Sequence, residues 1–259
     1  MSLPEHPPVS SRPVPLSRPG EGLGERLKPK VILFDLDDTL IDHSGNLESS
    51  WEPVLERATE LIEGLNPAEL RQAIREAAEE YWSDRARHRE GRLDLKAARQ
   101  LMVRSGLERM GLDPTPGNEL GALYHQTREE GYGLLPGAIE TLETLRERGV
   151  RLGLVTNGEA LLQRSKIERF ELARHFDHIQ IEEEFGLGKP EEKVYLHALA
   201  TLGTKPEEAW MVGDNLEWEI AAPQRLGIYA IWVDRSGDGL PADSEIRPDR
   251  IIRSVNELV

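Results

Sequence analysis

The sequence predicts an α/β fold: a Rossmann-like parallel sheet with helices on both faces, and an all-helical cap domain inserted after the first strand. Three observations predict it. Short, mostly apolar runs recur along the chain and end in polar, turn-forming residues. From residue 137 onward these runs alternate with amphipathic helical stretches, the pattern of a doubly covered parallel sheet. Between the first run and the second lie about ninety residues with helical periodicity and no good strand.

The first run is Val31-Ile32-Leu33-Phe34, which closes on Asp35. An unbroken apolar run of this length fits a central strand buried on both faces. Arg151 to Val155 is the second, ending at Thr156-Asn157-Gly158, and Phe176 to Ile181 the third. Ala209 to Val212 is the fourth, ending at Gly213-Asp214, and Ile228 to Val233 the fifth. Helices are expected over Gly137 to Arg148, Glu159 to Leu172 and Glu191 to Leu202, with Pro190 as a first helical residue. Leu216 to Leu226 is a poorer helix that Pro223 should kink or shorten. In the insertion, helices are expected over Glu52 to Gly64, Pro67 to Tyr81, Leu95 to Ser105 and Leu120 to Glu130, with Asn66 capping the second. Residues 246–259 should close the sheet edge and form a terminal helix.

The expected organisation is a disordered tail at 1–28, core at 29–42, helical cap at 43–135 and core again at 136–259. The tail carries Pro4, Pro7, Pro8, Pro13, Pro15 and Pro19 among polar residues, a composition that builds no core. It lacks the apolar stretch of a signal peptide, so the cytoplasm is the expected compartment. No run of eighteen apolar residues exists, so no membrane partner is expected. The absence of cysteine excludes disulfides, thiol nucleophiles and thiolate metal sites. A net charge of -15 argues against a nucleic acid polymer as partner. It leaves room for a small phosphorylated one, since local charge can oppose the global average.

The chemistry gathers at the strand ends. Asp35 and Asp37 alternate past the first strand, so both carboxylates can face one cleft. Two acids there need solvent, a partner or a hard cation such as Mg2+. A calcium loop is rejected, because Leu40 stands where that loop needs glycine and Asn46 where it needs glutamate. Asp214 ends the fourth strand, with Glu217 and Glu219 close behind, and a neighbouring strand would bring it near Asp35. Thr156 and the following backbone N–H groups, at a helix start, suit an anion. Lys189 can neutralise a phosphate oxygen or a carboxylate. His175 and His178 have no metal-completing partners nearby and read as surface groups.

These four segments, in this order and at these intervals, closely resemble the haloacid dehalogenase-like superfamily of hydrolases. Asp35-Leu36-Asp37-Asp38-Thr39 matches its first motif, Val155-Thr156-Asn157-Gly158 its second, Gly188-Lys189-Pro190 its third and Gly213-Asp214 through Glu219 its fourth. The helical insertion is similar to the type 1 cap of that superfamily. The resemblance implies that Asp35 is a nucleophile forming an aspartyl-phosphate, and that Asp37 is the acid and then the base. It implies that Thr156 binds the phosphoryl group and that Lys189 offsets the charge. Asp35, Asp214 and the backbone carbonyl of Asp37 would hold Mg2+, with Glu219 acting through a metal-bound water. Glu219 departs from the usual aspartate by one methylene, and Trp218 replaces a smaller polar residue.

Asp37 selects among the reactions of that superfamily. A halide needs no acid to leave, whereas an alkoxide does. A phosphatase of the nucleotidase and small-metabolite branch is therefore expected, ahead of a sugar-phosphate mutase, a 2-haloacid dehalogenase or a non-catalytic binding relative. The substrate classes implied are nucleotides, flavin mononucleotide, phosphoglycolate and sugar phosphates. Substrate contacts are expected from Asn157 and, in the cap, from Trp82, Arg85 and Arg92. A monomer or homodimer is expected.

Overall fold

A computed structural model describes residues 28–259. The tail expected at 1–28 lies outside the described residues but for Lys28. Strand β1 (Val31–Phe34) is buried at every position. After a tight turn comes β2 (Ile41–Asp42). Five helices follow: α1 (Glu52–Leu61), α2 (Pro67–Ser83), α3 (Arg85–Leu93), α4 (Leu95–Arg109) and α5 (Gly117–Glu130). The chain returns through β3 (Gly133–Leu134), then runs α6 (Ala138–Glu147), β4 (Arg151–Thr156) and α7 (Ala160–Arg169). Next come β5 (His178–Ile181), α8 (Glu182–Phe185), α9 (Glu192–Thr201) and β6 (Ala209–Gly213). A widened helical turn at Leu216–Ala221 leads into α10 (Ala222–Arg225), β7 (Tyr229–Val233) and β8 (Arg250–Ile252).

Six strands form one parallel sheet in the order β5-β4-β1-β6-β7-β8. The chain winds outward from β1 to β5 on one side, then crosses back to β6 and winds outward on the other. The order therefore reverses about β1, and such a reversal opens a crevice at the carboxyl ends of the strands. Strand alternation sets the two covered faces. Ile32 and Phe34 pack with Leu142, Leu145 and Ile167 of α6 and α7. Val31 and Leu33 pack with Val194, Tyr195, Ala198 and Leu199 of α9. The inserted helices hold a third cluster of their own, in which Trp51 and Tyr124 stack at 3.8 Å beside Val54, Leu70, Ile74 and Val103.

Several expectations are corrected. The insertion is not wholly free of strand, since Gly133–Leu134 pairs antiparallel with Ile41–Asp42. Two residues are too short to show alternation in sequence. Helix α3 was not expected, because its nine residues are largely charged and carry no apolar stripe. Its signal is the N-cap, where the Asp84 side chain accepts from Arg87 N. Pro190 is not the first turn of α9, which starts at Glu192. As expected, Pro223 shortens the stretch: the helical backbone changes from the wide turn of Leu216–Ala221 to the four-residue α10, with Pro223 in its first turn. The third strand starts at His178, not Phe176. His175 is not a surface group; it is buried, with its ring accepting from Arg174. The chain end closes the sheet edge with β8, as expected, and its terminal helix is a single 3-10 turn, Val255–Leu258. The cap on α2 is as expected, Asn66 accepting from Ala68 N and Glu69 N. Among the described residues no helix is long and apolar enough to cross a membrane.

Candidate active site

Backbone pairing positions the first acid. Asp35 N–H donates to Val212 O of β6 at 2.9 Å, which places Asp35 beside the end of that strand. Leu36 turns inward and is fully buried, and its carbonyl accepts from Leu40 N and Ile41 N. Asp35 and Asp37 therefore line one cleft. Asp38 adopts a left-handed φ of 59°, which an aspartate tolerates better than most residues. Its carboxylate turns away to Ser44 and Arg235, fixing the loop.

The cleft, about 380 Å³, gathers Asp35, Asp37, Thr156, Asn157, Lys189, Asp214 and Glu219 from four separate strand ends. A larger groove of about 580 Å³, walled by Ala77, Tyr81, Met102 and Arg109, contains none of these residues. The strand-end cleft is thus where the chemistry lies.

Lys189 is 1% exposed. Its ammonium lies 2.5 Å from Asp35 Oδ1 and 2.7 Å from Glu219 Oε1. Burial opposes its charge, but the two carboxylates outweigh burial and hold it protonated, well above the ordinary lysine range. Asn157 secures this lysine from both sides of its backbone. Its Oδ1 accepts from Lys189 N and its Nδ2 donates to Lys189 O, both at 2.8 Å. The amide expected to touch substrate is therefore spent on positioning Lys189.

Glu219 folds back under the β6 end. Gly213 makes the space, since a methyl there would lie 2.6 Å from Glu219 Cβ. Its Oε2 accepts from Asn215 N at 2.8 Å while Oε1 faces Lys189. Each oxygen thus has one partner here and keeps a second acceptor direction. Burial, with the Asp35 charge adding to it and Lys189 opposing, pushes Glu219 up to about 7.

Asp214 is the contrasting case. Its carboxylate accepts no hydrogen bond and makes no ion pair among the described residues; only its backbone carbonyl is used, by Trp232 Nε1 at 2.7 Å. Burial, then the negative charges of Asp35 and Glu219, push it up to about 8. Asp35 is also raised, because burial and Asp37 outweigh the Lys189 ammonium. Among the described residues, no three acid or histidine side chains close into a ligand set by themselves. The chemistry still fits a hard divalent cation. An unpartnered carboxylate, in the same cleft as a second one and raised by its charge, is a site of uncompensated negative charge that oxygen-preferring cations answer.

Asp37 is held differently. Lys166 Nζ lies 2.9 Å from each of its oxygens, and Gln163 Nε2 donates to Oδ2 at 3.1 Å. Burial works against the charge, but Lys166, His43 and Gln163 hold Asp37 below the ordinary carboxylate range. Gln163 also donates to Thr156 Oγ1 at 2.6 Å. The sequence reading missed Gln163 and Lys166. Their signal was two polar residues at spacing three on α7, on the same face as apolar Ile167, and both are buried.

The cap residues divide. Trp82 lines the cleft, edge-on to His88 at 5.2 Å. Arg92 also lines it, but its guanidinium is taken in fork fashion by Glu182, at 2.6 and 2.7 Å. This pair joins the inserted helices to the sheet, because Glu182 also accepts from Gly158 N beside Thr156. Arg85 is exposed and does not reach the cleft.

A parallel sheet with a helical cap, and two aspartates, a threonine and a lysine meeting where its strands end, define a hydrolase of the haloacid dehalogenase class. The chain belongs to that family: residues 29–227 match the haloacid dehalogenase-like hydrolases. Among curated relatives, it is 35% identical to a glyceraldehyde 3-phosphate phosphatase of Methanopyrus kandleri, over 88% of this chain and 98% of that one. It is 34% identical to a phosphoserine phosphatase of Thermus thermophilus, over 88% and 97%. Among solved structures, a HAD phosphatase from Thermococcus onnurineus superposes with a TM-score of 0.62 at 26% identity, over 88% and 95% of the two chains. A magnesium-bound HAD-hydrolase from Bacillus subtilis shares the fold with a TM-score of 0.69 at 24% identity, over 89% and 97%. The chain is an enzyme, a phosphatase of this family.

Proposed function

We propose that this phosphatase is a Mg2+-dependent phosphomonoesterase acting through an aspartyl-phosphate on Asp35, with residues 43–135 as the cap that covers substrate. The observation that carries the reading is the pairing of Asp35 with a second, separately held carboxylate, Asp37, in one cleft. A dehalogenase has no use for that acid, whereas an oxygen leaving group needs it.

Asp35 attacks phosphorus, so that its O–P bond forms as the bond to the leaving oxygen breaks. The leaving oxygen takes a proton from Asp37. Water then attacks phosphorus, its proton passes to Asp37, and the Asp35 O–P bond breaks to release phosphate. Held ionised by Lys166, Asp37 here stands in the state that accepts a proton from water. It must gain a proton before the first step. Lys189 lowers the repulsion between Asp35 and the phosphate dianion. The Thr156 hydroxyl binds a phosphoryl oxygen. Asp35, Asp214 and the Asp37 carbonyl would hold Mg2+, which supplies electrostatic stabilisation of the charge on the transferring group.

The substrate class is a small phosphorylated metabolite. Relatives named for glyceraldehyde 3-phosphate, phosphoserine and ribulose 1,5-bisphosphate favour short, polar phosphate esters over nucleotides and flavin mononucleotide. The cytoplasm is the compartment proposed for an enzyme of such metabolites. The test is phosphate release from a panel of these esters, phosphoglycolate and nucleoside monophosphates included, with and without Mg2+. Turnover of short esters that requires Mg2+ and vanishes in Asp35→Asn supports the proposal. Metal-independent turnover, or full activity in Asp35→Asn, contradicts it.

A further inference from the structure

We propose that Gln163 and Lys166, a turn apart on α7, are positioning residues that prepare Asp37 for the water step and aim the Thr156 hydroxyl at the phosphoryl group. The inference rests on the proposed aspartyl-phosphate reading and goes beyond it, because neither residue belongs to the four strand-end segments.

The geometry has two parts. Asp37 Oδ2 receives two donors, Lys166 at 2.9 Å and Gln163 at 3.1 Å, while Oδ1 receives Lys166 alone at 2.9 Å. A carboxylate oxygen has two acceptor directions. Oδ2 is therefore filled, and Oδ1 keeps one direction for a proton from water. Lys166 is itself held: it is buried, and its ammonium lies 4.8 Å from the centroid of the Tyr132 ring. A buried lysine on a helix, with its head beside a ring, thus holds that carboxylate by both oxygens.

The second part concerns the threonine. Gln163 Nε2 has two hydrogens for three acceptors in reach, Thr156 Oγ1 at 2.6 Å, Asn157 O at 2.9 Å and Asp37 Oδ2 at 3.1 Å, the two longer contacts sharing one hydrogen. A hydroxyl that accepts on one side keeps its own hydrogen for another partner. The Thr156 hydrogen has only a long contact, 3.4 Å, to Asn157 O. It is thus free to turn to a phosphoryl oxygen in the cleft. One amide ties the phosphate-binding hydroxyl and the acid–base carboxylate into a single network. Errors of placement at such a site are costly, because proton transfer requires hydrogen-bond reach.

The experiment compares wild type, Lys166→Met, Lys166→Arg, Gln163→Glu and Asp35→Asn with p-nitrophenyl phosphate and Mg2+. It measures kcat, KM, melting temperature and the fraction of enzyme trapped as phosphoenzyme on acid quenching. Lys166→Met should lower kcat about tenfold or more, part of the roughly 10²–10⁴-fold that a positioned acid–base group supplies. Its KM should stay within about threefold, and trapped phosphoenzyme should rise, because the water step slows most. Lys166→Arg should recover part of kcat. Gln163→Glu keeps the shape but accepts from Thr156 instead of donating, so it should raise KM as well as lower kcat. The inference is overturned if an active, phosphoenzyme-forming wild type is matched by Lys166→Met in kcat and trapped fraction. It is also overturned if both Lys166 variants lose activity only in step with a fallen melting temperature. If wild type forms no phosphoenzyme, the underlying reading fails first and takes this inference with it.

Discussion

Lys189 Nζ lies 2.5 Å from Asp35 Oδ1, between residues separated by 154 positions in the chain. The sheet closes that gap by setting β5 two strands from β1, so that the segment after α8 carries Lys189 back over the strand ends to Asp35. The same ammonium reaches Glu219, so one buried cation separates two acids that would otherwise repel.

Removing that cation should cost both stability and activity. Lys189→Met leaves Asp35 and Glu219 facing each other without a counter-charge. Losing one partner of a buried ion pair costs about 3–5 kcal/mol, to be read as a lower denaturation midpoint in urea. Loss of the charge that meets the phosphate should lower kcat by roughly 10²–10³-fold. A variant as stable and as active as wild type would remove Lys189 from the account.

Asp214 and Glu219 set an expected pH dependence. Both are raised, to about 8 and about 7, so the cation-free folded protein binds more protons than the unfolded chain above the ordinary carboxylate range. By linkage, its stability falls as pH rises from about 4 toward 8. A divalent cation competes with those protons. Mg2+ should therefore bind more tightly as pH rises from 6 to 8, with proton release, and should raise the melting temperature more at pH 8 than at pH 6. Calorimetry in two buffers of different ionisation enthalpy checks this; affinity independent of pH would contradict it.

The Arg92–Glu182 pair predicts an asymmetry. Arg92→Leu strands a buried carboxylate with Gly158 N as its remaining partner, whereas Glu182→Gln leaves a neutral amide that still accepts from that N–H. An unpaired buried charge costs more than an amide exchange. Arg92→Leu should thus lower the urea midpoint further than Glu182→Gln. Both should raise KM, because this contact joins the cap helices to the strand end beside Thr156. Equal midpoints for the two variants would argue against the pair as a clasp.

The sheet was legible because a strand buried on both faces writes an unbroken apolar run, as Val31 to Phe34 does. The strand-end acids, Thr156 and Lys189 were legible as polar residues closing such runs. Helix α3 was not, since Arg85 to Leu93 is held by an N-cap and by Arg92's distant partner rather than by an apolar stripe. For the same reason Arg92 read as a substrate contact: nothing in the sequence shows that Glu182, 90 positions away, takes its guanidinium. Lys166 and Gln163 were missed because a buried polar residue on an amphipathic helix looks like a solvated one until the fold supplies its partner.

In this mechanism Asp35 carries the phosphoryl group between substrate and water. Acid quenching during turnover with Mg2+ and a short phosphate ester, followed by peptide mass mapping, tests it most directly. A phosphoryl adduct is expected on the peptide spanning Val31 to Thr39, placed on Asp35 and absent from Asp35→Asn. Steady turnover with Asp35 unmodified, or with the adduct on another residue, would contradict it.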